Sequence, residues 1–458
     1  MPEYAVKFNG TLGVELAGGF VYLPFKVPEW AKTVEVQYSY RGLGKGECIL
    51  DIGIFEPCSL DLIDAMDGFR GWSGSNKKSF YVSEGSATPG YLPGPLKTGV
   101  WHVVLGLYKV PPEGCWYEVE VKVSGEARYV RERRSAEVTF PQKRGWVKGD
   151  FHVHSIHSDG NSNVEEIALE ASRVGLDFVA VTDHNTHSHI MELNGLNWMY
   201  GELVVGGVEV TTYKGHFNAY NVSSTPEFRI RSEGDLLRVV DNLRRKGALI
   251  SVNHPKPLGP DWEWGSMSFA HFIEVYHSLW GFNNYISLRK WDEELCKGYK
   301  LGLLGGSDAH SLKAEGLVGL ASPTTWVLVD ELSERGLLKA LMARRTFVSK
   351  SPQGPRLELY LLRGEDSWSI GEEAPPATMM VEAFIEGGRG TTARLVSDRC
   401  VEHVWKIERD PFSVKLEMDL RDVKFLRLET LETAEDPWDR YHRENDISAI
   451  SSPIYIGE

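Results

Sequence analysis

Hydrophobic and polar residues alternate with period two over the first 125 or so positions. Val34-Glu-Val-Gln-Tyr-Ser-Tyr40 and Tyr117-Glu-Val-Glu-Val-Lys-Val123 place apolar side chains on one face and polar ones on the other. Trp101-His-Val-Val-Leu-Gly-Leu-Tyr108 is a more apolar run between glycine-containing turns. Short strands broken by Gly/Pro-rich loops predict an antiparallel sandwich over 1–145. Within 128–148 the cations Arg128, Arg131, Arg133, Arg134, Lys143, Arg144 and Lys148 predict a solvated connecting segment.

Near residue 150 the pattern changes. Ser162 and Glu165 fit an S-x-x-E capping box, Ile167, Ala171 and Val174 follow at helical spacing, and Gly175 suits a helix end. Phe178-Val-Ala-Val181 is a wholly apolar strand, and Leu203–Val205 with Val208 and Val210 forms another. A helix lined by Leu236, Val240 and Leu243 precedes the strand Ala248–Val252. Then come a strand at Phe272–Tyr276, a helix near 284–297, and strands at Leu301–Leu304 and Trp326–Val329. Strands apolar on both faces, alternating with helices, predict a parallel α/β sheet or barrel over 146–350. After Pro352 and Pro355 the period returns to two, in Arg356–Tyr360, Val414–Met418 and Lys424–Leu428. A second small sandwich is expected over 351–458.

The chain has 458 residues, enough for about three domains. With 42% hydrophobic and 25% charged residues it has the composition of an ordinary globular protein, neither disordered nor coiled coil. Fifty Lys and Arg against 64 Asp and Glu give a charge of −14, which disfavours a broad nucleic-acid surface. The first residues show no signal-peptide pattern, and no apolar run approaches the roughly 20 residues that span a bilayer. A cytoplasmic protein is the resulting expectation. Cys48, Cys58, Cys115, Cys296 and Cys400 include no C-x-x-C pair; the first three leave room for one disulfide.

Histidine carries the chemistry. Eleven of the 14 histidines fall between His152 and His310, about twice an even spread. Asp150-Phe-His-Val-His-Ser-Ile-His-Ser-Asp-Gly160 puts His152 and His154 two apart on a strand, so both imidazoles project from one face, with Asp159 on the turn beyond. Thr182-Asp-His-Asn places His184 at a strand's carboxyl end. Glu209, His254 and His277 end successive strands, and Gly306-Ser-Asp-Ala-His310 adds Asp308 and His310. The C-terminal face of a βα barrel is where sites are built. Six imidazoles and three carboxylates are too many for one zinc and suit two or three ions. Nitrogen and oxygen ligands without thiolates fit zinc, manganese or iron(II). Asp150 and Asp183 would support this set or cap the adjacent loops. His216, seven residues after Glu209, either reaches the pocket or is a near-core histidine; Lys256 either pairs with a phosphate oxygen or stands in solvent.

The motifs H-x-H…S-D-G, T-D-H-N, G-V-E, N-H-P, E-V-Y-H and G-S-D-A-H, in this order, resemble the PHP (polymerase and histidinol phosphatase) metallohydrolases. The flanking sandwiches and the Glu-Val-Tyr-His wording resemble the CehA/McbA-type branch. The resemblance covers roughly 150–350 and implies a distorted (β/α)7 barrel with a trinuclear site. His152, His154, Glu209 and Asp308 would hold one ion. Glu209 would bridge to a second, completed by His254 and His277, and Asp159, His184 and His310 would hold a third. His157 competes with Asp159 for the third-ion place. The implied activity is hydrolysis of a small phosphomonoester or phosphodiester by metal-bound hydroxide, with Glu209, Asp308, His216 and Lys256 as candidate catalytic residues. A carbamate, ester or amide hydrolase on the same metals is the alternative. A binding protein with a silent barrel is less favoured, since all nine ligands are present. The expected partner is a small phosphorylated molecule, with nucleic acid only as a short nucleotide, and no membrane.

Overall fold

The structure is a computed structural model describing residues 2–60, 67–129, 143–193, 197–257, 261–312 and 319–457. Arg131, Arg133 and Arg134 therefore lie outside the described residues. The N-terminal part forms two four-stranded antiparallel sheets. One runs Glu3–Leu12, Cys115–Ser124, Thr33–Gly42, Ser79–Ser83; the other runs Phe20–Val27, Gly99–Lys109, Ile49–Phe55, Phe69–Gly74. The alternation of Val119, Val121 and Val123 with Glu118, Glu120 and Lys122 turns one face of the first sheet inward. That face meets Leu50, Ile52, Trp101 and Val103 of the second sheet in a shared core. A disulfide joins Cys48 to Cys115.

From Gly145 onward the chain is a mixed α/β structure built on one continuous sheet and one further antiparallel sheet. Gly145–Val153, Phe178–Val181 and Glu202–Thr212 are parallel neighbours, as are Leu249–Val252, Phe272–His277 and Gly302–Gly306. Phe178–Val181 and Leu249–Val252 are buried at every position, which is why their sequences are apolar but for Ser251. The sheet curls on itself. The Asp308 amide donates to His152 O at 2.9 Å, and the His154 amide donates to Ala309 O at 3.0 Å, bringing the last parallel strand back to the first.

Strict strand–helix alternation does not hold. Gly215–Tyr220 returns as an antiparallel hairpin after Glu202–Thr212 and pairs antiparallel with Leu249–Val252. Thr324–Val329 joins the other side of Gly145–Val153, also antiparallel. Gly145–Val153 begins inside the segment expected to be a solvated connection, so Lys148 lies on a strand, its ammonium donating to Pro352 O at 3.1 Å. The first helix of this region, Val164–Val174, is capped one position later than predicted. Asn163 and Glu166 bond each other's backbone amides, both at 2.9 Å, because Asn accepts at this position while Ser162 turns to Asn161. Gly175 ends the helix at φ 77°, where a Cβ would be strained.

The sheet does not stop at residue 350. Thr346–Ser349 pairs with Asp446–Ser451, and the order continues through Phe425–Thr433 and Thr392–Ser397 to Val401–Lys406. A further antiparallel sheet, Asp366–Ser369, Arg356–Arg363, Thr378–Glu386, Phe412–Asp419, contributes Leu357, Leu361 and Val381 to a core shared with Leu395, Leu428 and Phe347. Among the described residues no helix is long and apolar enough to cross a membrane.

Glu202, which opens the Glu202–Thr212 strand, is buried with its Oε2 lacking a partner. Burial pushes its carboxyl up to about 7 from the ordinary 4.5. The folded state therefore prefers the neutral acid. Its contribution is intact at low pH and is lost as pH rises through about 7. Glu202→Gln should stabilise the protein by about 1–3 kcal/mol at pH 8 and by little at pH 4, read from urea midpoints. An equal effect at both pH values would contradict the burial argument.

Candidate metal centre

Histidine and carboxylate side chains from seven chain segments converge at the carboxyl ends of the curled sheet. Glu209 lies at the middle, fully buried. Its Oε1 is 3.1 Å from His216 Nδ1, 3.3 Å from His152 Nε2 and 3.4 Å from His254 Nε2, and accepts from Asn253 Nδ2 at 2.9 Å. Its Oε2 is 2.7 Å from His184 Nδ1 and 3.4 Å from His154 Nε2. Burial alone would raise the Glu209 pKa; the surrounding His152, His184 and His216 overcome this and hold it well below the ordinary range. Asp308 is the second hub, with Oδ1 2.9 Å from His154 Nε2 and Oδ2 3.1 Å from His277 Nε2.

Five overlapping groups of three or four ligand atoms each lie within 4.8 Å of one another. His154, Asp159, His184 and His310 form one, at the partly exposed edge of the site. His152 and His154 group with Glu209, His152 and His254 with Asp308, and His184 with Glu209 and His216. The fifth group joins His254 and His277 to Glu274, which sequence reasoning missed. All nine sequence-derived ligands are thus gathered, but His277 faces Asp308 and Glu274 rather than Glu209. Glu274 also fixes two others: its Oε1 lies 3.0 Å from His152 Nδ1, and its Oε2 accepts from the His254 amide at 2.9 Å. The available signal was a carboxylate inside the apolar run Phe272-Ile-Glu-Val-Tyr276.

His152 Nε2, His154 Nε2, Glu209 Oε2 and Asp308 Oδ1 are buried without an aligned hydrogen bond, although they face one another. Buried polar atoms are rarely left so. Such a donor set, rich in nitrogen and oxygen and free of sulfur, fits a cluster of divalent cations. Local backbone serves the same end. His254 and Asp308 hold φ of 28° and 55°, strained values that place their side chains inward. At Gly306 a Cβ would stand 2.4 Å from His152 Cβ and 2.5 Å from Glu274 Oε1, so only glycine lets these two pass.

The neighbouring residues resolve into separate places. Asp150 accepts from the amides of His152, Ser307 and Ala321 at 3.1, 3.1 and 2.8 Å, tying the first and last site loops together. Asp183 accepts from the Ser155 and Ser158 amides and both hydroxyls, shaping the loop that carries Asp159. Both carboxylates therefore cap loops. His157 turns away, to Ser188 Oγ at 2.7 Å and Glu192 Oε2 at 2.6 Å. Lys256 is buried, and its ammonium donates to Phe282 O and to Asn284 Oδ1 at 2.9 Å, with His277 O at 3.4 Å. It holds the loop after the Phe272–His277 strand. Burial brings its pKa down to about 7. His187 pairs with Thr225 Oγ1 at 2.8 Å, and His271 accepts from the Ile250 amide at 3.1 Å, both away from the centre.

The architecture and site define a class: a β-rich α/β protein with a buried histidine–carboxylate cluster suited to metal ions. No family model matches the chain. A phosphoribosyl 1,2-cyclic phosphate 1,2-diphosphodiesterase of Eggerthella lenta is 38% identical over 64 residues, which is 14% of this chain and 24% of the relative. The DNA polymerase/3'-5' exonuclease PolX of Bacillus subtilis is 28% identical over 110 residues, 24% of this chain and 19% of the relative. The chain thus spans a quarter or less of the length of these two relatives. Among solved structures, a two-domain protein from Bacteroides vulgatus containing a predicted PHP-like metal-dependent phosphoesterase is similar, with a TM-score of 0.38 and 18% identity over 71% of this chain and all of that one. The site-bearing segment is thus similar in part to these two relatives, and its six ordered motifs resemble those of PHP metallohydrolases.

Proposed function

We propose that the protein is a metal-dependent phosphoesterase that hydrolyses a small phosphomonoester or phosphodiester. The observation that carries this reading is the set of buried imidazole and carboxylate atoms left without hydrogen bonds around Glu209 and Asp308. Similarity to metal-dependent phosphoesterases supports it. The segment 146–350 would be a distorted PHP barrel, with sandwich domains at 1–145 and 351–458. His152, His154, Asp159, His184, Glu209, His254, His277, Asp308 and His310 would hold up to three divalent cations, with Glu274 a further candidate. Bound there, the cations would supply Lewis acidity to phosphoryl oxygens and lower the pKa of water.

The chain's own residues prepare that chemistry. Glu274 orients His152 through Nδ1, leaving Nε2 turned toward Glu209 and Asp308. Asp183 holds the 155–158 loop and so sets the position of Asp159. His216 lines the cleft above the site and lies 3.1 Å from Glu209, a place from which it can bond a substrate oxygen.

The test is a matched pair, an aryl phosphate and an aryl carbamate with one leaving group, offered to protein reconstituted with manganese or zinc. The expected result is faster turnover of the phosphate, competitive inhibition by inorganic phosphate, and two or three ions per chain by elemental analysis. A higher kcat/KM for the carbamate with no phosphate inhibition would favour the alternative hydrolase. No more than one ion after reconstitution would sink the trinuclear centre.

A further inference from the structure

The cleft above the metal centre has a second wall that the chemistry above does not use. It encloses about 390 Å3 between the N-terminal sheets and the site-bearing segment. Asp159, His184 and His216 form one end. The other end is aromatic. Phe20 stacks on Tyr213 with ring centroids 5.9 Å apart, and Tyr108 stacks on Tyr213 at 5.2 Å. Trp72 and Phe228, 4.8 Å apart, lie buried beneath them. Three of these rings, Phe20, Trp72 and Tyr108, come from the N-terminal sheets. The arrangement depends on Gly106, where a Cβ would stand 2.3 Å from the Tyr213 hydroxyl.

Asp51, on the Ile49–Phe55 strand, sits among these rings. Its Oδ2 accepts from the Tyr213 hydroxyl at 2.8 Å, and among the described residues no lysine or arginine forms an ion pair with it. Burial pushes its carboxyl up to about 6, despite opposing contributions from Tyr213, His184 and Lys78. Asp51 is half-buried at the cleft wall with no ion-pair partner among the described residues, and a cation supplied by a ligand would offset the cost of its partial desolvation. The rings favour cations too: Arg231 lies 5.7 Å over Phe20 and Lys109 lies 5.4 Å over Tyr108, at the rim of the same aromatic group. A neutral ring would leave Asp51 uncompensated.

We propose that this compartment is a subsite for an organic ammonium group on the leaving side of the substrate, with Asp51 as its counter-ion and Phe20, Tyr108 and Tyr213 as its aromatic walls. The cleft is then bipolar, with the histidine–carboxylate centre taking the phosphoryl group and Asp51 taking the cation. The substrate class is a zwitterionic phosphoester of an amino alcohol. The assignment of the phosphoryl end rests on the proposed phosphoesterase activity; the ammonium end does not.

Two measurements on the full-length, metal-replete protein separate the two. The first compares kcat/KM for phosphoethanolamine and its uncharged isostere propyl phosphate. Phosphoethanolamine should be preferred by about tenfold or more, the worth of one charge-assisted hydrogen bond. Asp51→Asn should erase most of that preference, and Phe20→Leu should weaken it. Equal kcat/KM for the two esters, or an unchanged preference in Asp51→Asn, would overturn the proposal. The second follows free ethanolamine binding by NMR titration, which needs no turnover. Binding should weaken about tenfold in Asp51→Asn. If neither ester is cleaved, the phosphoesterase reading fails, and the titration alone decides: Asp51-dependent binding upholds the ammonium subsite, and absent or Asp51-independent binding overturns it.

Discussion

Exchanging Glu209 for glutamine should lower kcat/KM on any turned-over phosphoester by more than about 100-fold, beyond the 10–100-fold typical of groups that only support ligands. The side chain faces five imidazoles: those of His152, His154, His184, His216 and His254. Glutamine keeps the shape but removes the negative charge that balances cations at the centre, and it turns one acceptor into a donor aimed at ligand nitrogens. Elemental analysis of the variant should show at least one ion fewer per chain. His216→Ala, which removes a residue at the cleft edge of the cluster, should cost less. Wild-type turnover and metal content in Glu209→Gln would refute its central place.

Arg427→Met should destabilise the fold by about 3 kcal/mol, seen as a lower urea midpoint. Arg427 is fully buried, with its guanidinium on Asp292 and its Nε 2.7 Å from Glu429 Oε1. Asp292 belongs to the Asn284–Cys296 helix, and Arg427 to the Phe425–Thr433 strand, so the pair stitches the site-bearing segment to the C-terminal strands. Removing the cation leaves two buried carboxylates. The loss falls at the lower end of the range for a broken buried pair because partners remain. Asp292 keeps Tyr441 at 2.8 Å and Arg440 at 3.2 Å, and Glu429 keeps Arg394 at 2.5 Å. An unchanged midpoint would show that the packing around Trp291 and Phe425, rather than charge, holds this junction.

The parallel strands were legible because burial on both faces forces an unbroken apolar run; Phe178–Val181 has the predicted bounds. The site was legible because strands deliver side chains at fixed periods, so His152 and His154 had to share a face. Glu274 was not, since a single carboxylate within a strand carries no periodic signal until its partners His152 and His254 are known. The Gly215–Tyr220 hairpin was missed for a similar reason: its pairing with Leu249–Val252 is set by residues about 30 positions away. The aromatic end of the cleft was the least accessible. Asp51 and Tyr213 are 162 positions apart, and only docking of the N-terminal sheets makes them neighbours. The contacts of Lys256 were not legible either, because its place near His254 in sequence says nothing about which way a buried ammonium turns.

The continuous sheet has a consequence for how the protein is made. Thr346–Ser349 finds its second partner strand in Asp446–Ser451, about 100 residues later. At ribosomal rates of about 5–20 residues per second, that edge waits for about 5–20 s with its amides and carbonyls unpaired. The strand next to it, Thr324–Val329, borders the one that carries His152. The nascent chain can therefore assemble its proposed metal ligands well before the sheet supporting them is finished, and during that interval it depends on whatever shields an open strand edge from its neighbours on the polysome.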